Sequence, residues 1–232
     1  MRYLGGKSKI AKRLAAVIGG GDLLIEPFVG GGAMTAALAP SFREVRAYDI
    51  HLDLILLWNA LKSGWLPPHV VSEHEYAKLR DSEPSALRAF VGFAGASWGG
   101  KWFGGYARGG ARNYADEAAR SLARDIALMG NVSFAQADYR NLNPPPGAIV
   151  YADPPYAGTT GYGRAFDNTE FWEVMTNWAQ ICHVYVSEYK APATWDCVWS
   201  LERTRDMKAH MTDAVKIREC LFFKGKEWKE VA

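Results

Sequence analysis

Asp153-Pro154-Pro155-Tyr156 is the stretch of this chain best suited to chemistry. An ionised aspartate accepts hydrogen bonds. Proline fixes φ and donates no N–H, so two in succession hold their carbonyls out as acceptors on a stiff loop. Tyr156 adds a flat aromatic face. Such a loop suits a planar base with an exocyclic amino group: the amine donates to Asp153 and to a carbonyl, and the ring stacks on Tyr156. The purely structural reading is a proline-rich turn that ends a strand, and the tetrapeptide alone leaves both open.

The elements around the loop narrow the choice. Ala148-Ile149-Val150-Tyr151-Ala152 is a short apolar run that reads as a buried strand. The loop then hangs from a strand's carboxyl end, where open parallel sheets place their ligands. Near the other end of the chain, Leu23-Leu24-Ile25 reads as a second buried strand. It is followed by Glu26-Pro27-Phe28-Val29-Gly30-Gly31-Gly32 and the helix former Ala33–Leu38. Strand, glycine turn and helix open a nucleotide-binding α/β unit. Glycines let backbone approach a ligand closely and leave N–H groups at the helix start available. The spacing fits neither GxGxxG nor a P-loop, and a tight packing turn is the alternative. Glu44–Tyr48 reads as the next strand and ends at Asp49, where such folds bind ribose hydroxyls. Asp49 could equally cap the helix expected over 52–61, whose face would be Leu52, Ile55, Leu56 and Asn59.

A helix is expected over 8–18, with Ser8 as N-cap and Ile10, Leu14, Val17 and Ile18 on one face. Composition changes at Pro67-Pro68. Residues 67–130 are rich in charge, alanine and glycine, and two helices are expected there, at 73–94 and 115–129. Between them, glycine pairs alternate with Trp98, Trp102, Phe103, Lys101, Arg108 and Arg112. Aromatic and basic groups on glycine hinges suit a nucleic acid, and the bland alternative is a loop pinned by its aromatics in a satellite core. The α/β pattern resumes at Val132-Ser133-Phe134 and Ala137-Asp138-Tyr139. A helix over 170–181 with Phe171, Val174, Met175 and Trp178 on one face, a strand at 183–187, and an antiparallel pair at 198–203 and 214–223 complete it.

Bulk properties exclude several classes. The 232 residues suffice for one large domain or a domain with an insert, and 49% hydrophobic content supports a substantial core. A net charge of +2 gives no global attraction to nucleic acid, so local patches must supply it. Residues 1–18 carry Arg2, Lys7, Lys9, Lys12 and Arg13 and no acid. Three dispersed cysteines frame neither a disulfide scaffold nor a zinc site, and the five histidines have no ligand spacing. No metal is expected. The start has no signal-peptide pattern and no run reaches transmembrane length, so a cytoplasmic protein with no membrane contact is expected.

Taken in order, Tyr3-Leu4-Gly5-Gly6-Lys7, Glu26–Gly32, Asp49, Asp138-Tyr139 and Asp153–Tyr156 resemble the α-group, Dam-like, S-adenosylmethionine-dependent DNA adenine N6-methyltransferases often carried by phages and prophages. The resemblance covers nearly all of residues 1–60 and 131–223. It implies a Rossmann-like class I methyltransferase sheet, with residues 1–61 and 131–232 as catalytic domain and 62–130 as a small, mostly helical target-recognition insert. It implies that Tyr3 and Lys7 lie against the cofactor and that Glu26 and Asp153 also belong to the cofactor site. Phe28, Gly30 and Gly32 would cradle its methionine part, Asp49 would hold its ribose, and Asp138 with Tyr139 would flank its adenine. Asp153, Pro154, Pro155 and Tyr156 would be catalytic, acting on a flipped adenine in double-stranded DNA. Lys101, Arg108 and Arg112 would meet DNA phosphates.

Two departures stand out. His51 replaces the usual asparagine two residues after the ribose acid. The insert also lacks the asparagine- and arginine-rich hairpin expected of a GATC enzyme, which predicts a different, relaxed target. Cytosine-N4 transfer (more often with serine in place of Asp153), glutamine methylation (with asparagine there) and a catalytically dead DNA-binding module are the alternatives. Neither the oligomeric state nor a restriction partner is legible.

Overall fold

Short apolar runs separated by amphipathic helices dictate alternating strands and helices, and seven strands join in one sheet of order β3-β2-β1-β4-β5-β7-β6. The computed structural model describes residues 1–108, 110, 112–155, 166–205 and 215–225. The strands are β1 (Gly21–Glu26), β2 (Phe42–Asp49), β3 (Val132–Gln136), β4 (Ile149–Ala152), β5 (His183–Glu188), β6 (Asp196–Arg205) and β7 (Val215–Lys224). β1 to β5 pair in parallel, while β7 runs antiparallel to both β5 and β6. This is a doubly wound, Rossmann-like sheet whose order reverses between β1 and β4, which is where such sheets open a crevice at their carboxyl ends.

The helices are α1 (Ala11–Ile18), α2 (Ala33–Leu38), α3 (Leu52–Lys62), α4 (Glu73–Arg80), α5 (Ala86–Ala89), α6 (Tyr114–Ile126) and α7 (Asn168–Trp178). Strand residues alternate between two apolar layers. Leu24, Val45, Ala47, Tyr151 and Leu221 pack on one side with α1, α2, α3 and α6. Ile25, Val150, Ala152, Val184 and Phe222 pack on the other with Phe171, Met175 and Trp178 of α7.

Several expectations are corrected. α1 begins at Ala11, and its N-cap is Ile10 with no side-chain cap, so Ser8 does not cap it. The buried residues of α3 include Leu54, Leu57, Trp58 and Leu61 as well as Ile55 of the expected face, while Leu52 and Asn59 are exposed. The helix expected over 73–94 is broken. α4 ends at Arg80, and Pro84, which has no amide to donate, precedes a new start at Ser85. There the Ser85 side chain accepts the Arg88 amide and Asp53 accepts the Ser85 amide. α5 widens directly into a π-helical turn, Phe90–Gly95. Phe90, Val91 and Phe93 of that turn, with Val71, Tyr76 and Leu122, are buried in the same apolar cluster as α1 to α3.

The glycine-pair segment is a tight hairpin closed by an isolated bridge between Ser97 and Tyr106. Trp102 and Phe103 pack against the main apolar cluster rather than in a satellite core, and Trp98, expected with them, is exposed. Among the described residues no helix is long and apolar enough to cross a membrane, and no group of three or more His, Cys, Asp or Glu side chains could hold a metal ion.

Candidate active site

β1 and β4 are neighbours, so the glycine turn and the Asp153 loop emerge side by side at the carboxyl edge of the sheet. The glycines are required first by packing. A Cβ on Gly32, at φ +69°, would lie 2.4 Å from the Trp58 ring, and one on Gly31 would lie 2.6 Å from Tyr3. Tyr3 therefore lies against the glycine turn, with its ring also 5.2 Å from Phe93. The amides of Gly30 and Gly32 are already engaged, by Asp49 Oδ2 at 3.0 Å and the Val29 carbonyl at 2.9 Å. Trp58 Nε1 donates to the Gly30 carbonyl at 3.1 Å and fixes the other side of the turn.

Asp49 thus ends β2 as a brace. Its Oδ1 accepts the His51 amide at 2.9 Å while Oδ2 takes Gly30. Burial pushes its carboxyl up to about 6, and the backbone donors His51, Gly30 and Ile50 oppose the rise. With three backbone donors on its two oxygens, the carboxylate retains acceptor capacity for one further donor. Ile50, next in the chain, is 51% exposed. The His51 ring turns away, edge-on to Trp102 at 4.5 Å and Phe93 at 5.1 Å.

Glu26, at the end of β1, is 1% exposed, and its Oε2 has no hydrogen-bond partner. Burial pushes this carboxyl up to about 8, and the nearby Asp153 and Asp49 carboxylates add to the rise. A buried, orphaned carboxylate oxygen beside a glycine turn fits a cationic ligand, because a positive charge there restores what burial removed.

Phe28 joins an aromatic cluster with Tyr139 (5.2 Å), Phe171 (5.9 Å) and Phe166 (6.2 Å). Asp138 caps the turn Tyr139–Asn141, and its Oδ1 accepts Arg140 Nε at 2.9 Å. Arg140 has no motif in the sequence to announce it, whereas Phe166 is expected there as part of an aromatic loop over the site.

Lys7 lies against the loop after β4. Its Nζ lies 2.6 Å from Asp153 Oδ1 and 3.3 Å from the Gly5 carbonyl, and the side chain is 5% exposed. Pro154 and Pro155 follow, while Tyr156 lies outside the described residues. Of the residues assigned to phosphates, Lys101 is exposed, Arg108 pairs with Glu73, and Arg112 grips Glu117 through two bonds at 2.7 and 2.8 Å.

Residues 3–86 match the sequence family described as D12 class N6 adenine-specific DNA methyltransferase. The enzymes of that class are S-adenosylmethionine-dependent and act on adenine N6. The matched span contains Tyr3, Lys7, the glycine turn and Asp49, and stops before Asp138 and Asp153. No curated protein matches the chain in sequence. Among solved structures it is similar to 23S rRNA methyltransferase ErmE, with a TM-score of 0.48 and 13% identity over 97% of this chain and 70% of that one. It is also similar to a putative RNA methyltransferase, PH1948, from Pyrococcus horikoshii (TM-score 0.42, 13% identity, 94% and 80% covered). A third is SMU.472, a putative methyltransferase complexed with SAH (TM-score 0.41, 12% identity, 98% and 55% covered).

Proposed function

We propose that this protein is a D12 class methyltransferase that transfers a methyl group to the N6 amino group of an adenine flipped out of double-stranded DNA, and that Asp153 is the residue on which transfer depends. The observation that carries this reading is the Asp153 carboxylate at the end of β4, beside the glycine turn of β1. S-adenosylmethionine, when bound, supplies an electrophilic methyl on a cationic sulfur. Phe28 and the Gly30–Gly32 turn would hold its methionine part, with Glu26 facing its positive charge. Asp49 would take its ribose hydroxyls, and Ile50, Asp138 and Tyr139 would border its adenine.

The residues of this chain then have two tasks. Adenine's amino nitrogen is a poor nucleophile, because its lone pair is delocalised into the ring. Asp153 and the Pro154 carbonyl accept its two hydrogens, which concentrates density on nitrogen and stabilises the positive charge that develops there. Pro154 and Pro155 fix those acceptors, so the geometry is set before the base arrives. The target atom lies inside a duplex, so the base must leave the stack, and Tyr156 offers it a face.

Residues 62–130 form the target-recognition insert in this reading, with Lys101, Arg108 and Arg112 on phosphates. The hairpin at 97–106 replaces a GATC-type reading element, so the target is not strict GATC. The protein works in the cytoplasm of a bacterial or phage-infected cell. Incubating purified protein with labelled S-adenosylmethionine and unmethylated genomic DNA tests this. Label in N6-methyladenine, mapped to sites other than GATC, is the expected result. Label in cytosine or in protein, or DNA binding without transfer, would point to the cytosine enzyme, the glutamine enzyme or the inactive module.

A further inference from the structure

Asp153 shares its ammonium with a second carboxylate. Lys7 Nζ is 2.6 Å from Asp153 Oδ1 and 3.5 Å from Glu219 Oε1, and Glu219 is 7% exposed. The pleat explains the meeting. Side chains two apart on a strand share a face, so Asp153 continues the face of Tyr151, and Ser187 that of Tyr185. Leu221 pairs with Ser187 across β5 and β7, which sets Glu219 one row further along that same face. Tyr151 hydroxyl and Ser187 Oγ meet at 2.8 Å beneath this row. Lys7 reaches over the row from the turn before α1. Glu219 thus comes from the antiparallel strand, which carries none of the motif residues.

We propose that Glu219 is a positioning residue for methyl transfer, drawing the Lys7 ammonium off Asp153 when the target amino group takes its place. The proposal rests on reading Asp153 as the acceptor of that amino group. An oxygen that already accepts an ammonium is a weaker acceptor for an amine. A unit positive charge beside it also opposes the positive charge that develops on the amine nitrogen during transfer. Lys7 must therefore move. At 5% exposure it cannot move into water without uncovering the site, and a buried ammonium with no counter-charge is costly. Glu219 is already within ion-pair distance, so a shift of about an ångström exchanges one carboxylate for the other while the charge stays compensated. Removal of Glu219 leaves Asp153 as the carboxylate of this pair that can hold Lys7, and the ammonium stays where the substrate must bind. A purely structural Glu219 would behave differently, since its loss would weaken folding and cofactor binding whether or not Lys7 is present.

The test is a double-mutant cycle on the full chain, using single-turnover methylation of a duplex containing the mapped target. SAH affinity by calorimetry, DNA affinity by anisotropy and Tm are measured alongside. Glu219→Gln should slow transfer by about tenfold or more, with SAH and DNA affinities within about twofold of wild type. In a Lys7→Met background, which should retain measurable transfer, the same change should cost less than about threefold. Glu219→Asp, which keeps the charge but withdraws it, should fall between wild type and Glu219→Gln and serves if the glutamine variant does not fold. An unslowed Glu219→Gln or Glu219→Asp, an equal loss in the Lys7→Met background, complete inactivity of Lys7→Met, or SAH affinity falling in step with rate would each overturn the proposal. A wild-type protein that labels no adenine would instead remove the reading of Asp153 itself.

Discussion

The Gly30 amide donates to Asp49 Oδ2 at 3.0 Å, joining the turn after β1 to the end of β2. Asp49 therefore shapes the glycine turn in the empty protein, whatever part it takes in the proposed cofactor site. Asp49→Ala should lower stability by about 1–3 kcal/mol, because two amides lose their acceptor. SAH affinity should fall at the same time. Urea denaturation and calorimetry on the same preparation check both, and a variant with normal stability and weak SAH binding would confine Asp49 to the ligand.

Glu26 gives a pH dependence with a definite sign. Its folded value is pushed up to about 8, above its ordinary value, so between those limits the folded state binds more protons than the unfolded one. The stability of the empty protein should then decline as pH rises from about 5 to 8. Asp49, raised to about 6, adds to the lower part of that window. Glu26→Gln should flatten the slope in a Tm series across this range.

A cation seated beside Glu26 should return its carboxyl toward the ionised form. S-adenosylmethionine should therefore release protons on binding near pH 7, and SAH, lacking the sulfonium charge, should release fewer. Calorimetry in buffers of different ionisation enthalpy reads the difference directly. Equal proton release for the two ligands would place the sulfonium away from Glu26.

Asp153→Ala should abolish detectable transfer while SAH affinity changes little, because the lost interaction is made in the transition state. Glu219 remains as a counter-charge for Lys7, so the variant should still fold. Weak SAH binding in this variant would move Asp153 from the target base to the cofactor.

Lys101, Arg108 and Arg112 separate by their partners. Each change to alanine should reduce the slope of log affinity against log salt by about 1 if the side chain meets a phosphate. Arg108 and Arg112 must first exchange Glu73 and Glu117 for DNA, and such exposed pairs are worth only about 0–1 kcal/mol. An unchanged slope would leave a residue as an ordinary surface ion pair.

The strand, glycine turn and helix over 21–38 were legible because an apolar triplet, a glycine cluster and an alanine-rich run each have one easy local structure. α3 was legible as a helix but its buried stripe was not. Leu52, Leu54, Leu56, Leu57 and Leu61 leave no clear polar face, so periodicity could not choose between them. The break at Pro84 is a local signal, which the helical periodicity on either side of it masks. The pairing of Lys7 with Asp153 spans 146 residues and rests on tertiary folding alone. Trp58 and Glu219 had no motif to announce them. Tyr156, central to the sequence reading, lies outside the described residues.

Gly100 touches the segment that carries Lys7. Its carbonyl accepts the Leu4 amide at 3.1 Å, and a Cβ on it would lie 2.8 Å from the Tyr3 backbone. Position 100 is therefore a seam between the 97–106 hairpin and the amino-terminal segment. Any larger residue there would push on the Tyr3–Lys7 segment and, through Lys7, disturb Asp153, so a change made in the hairpin would be felt at the carboxyl edge of the sheet.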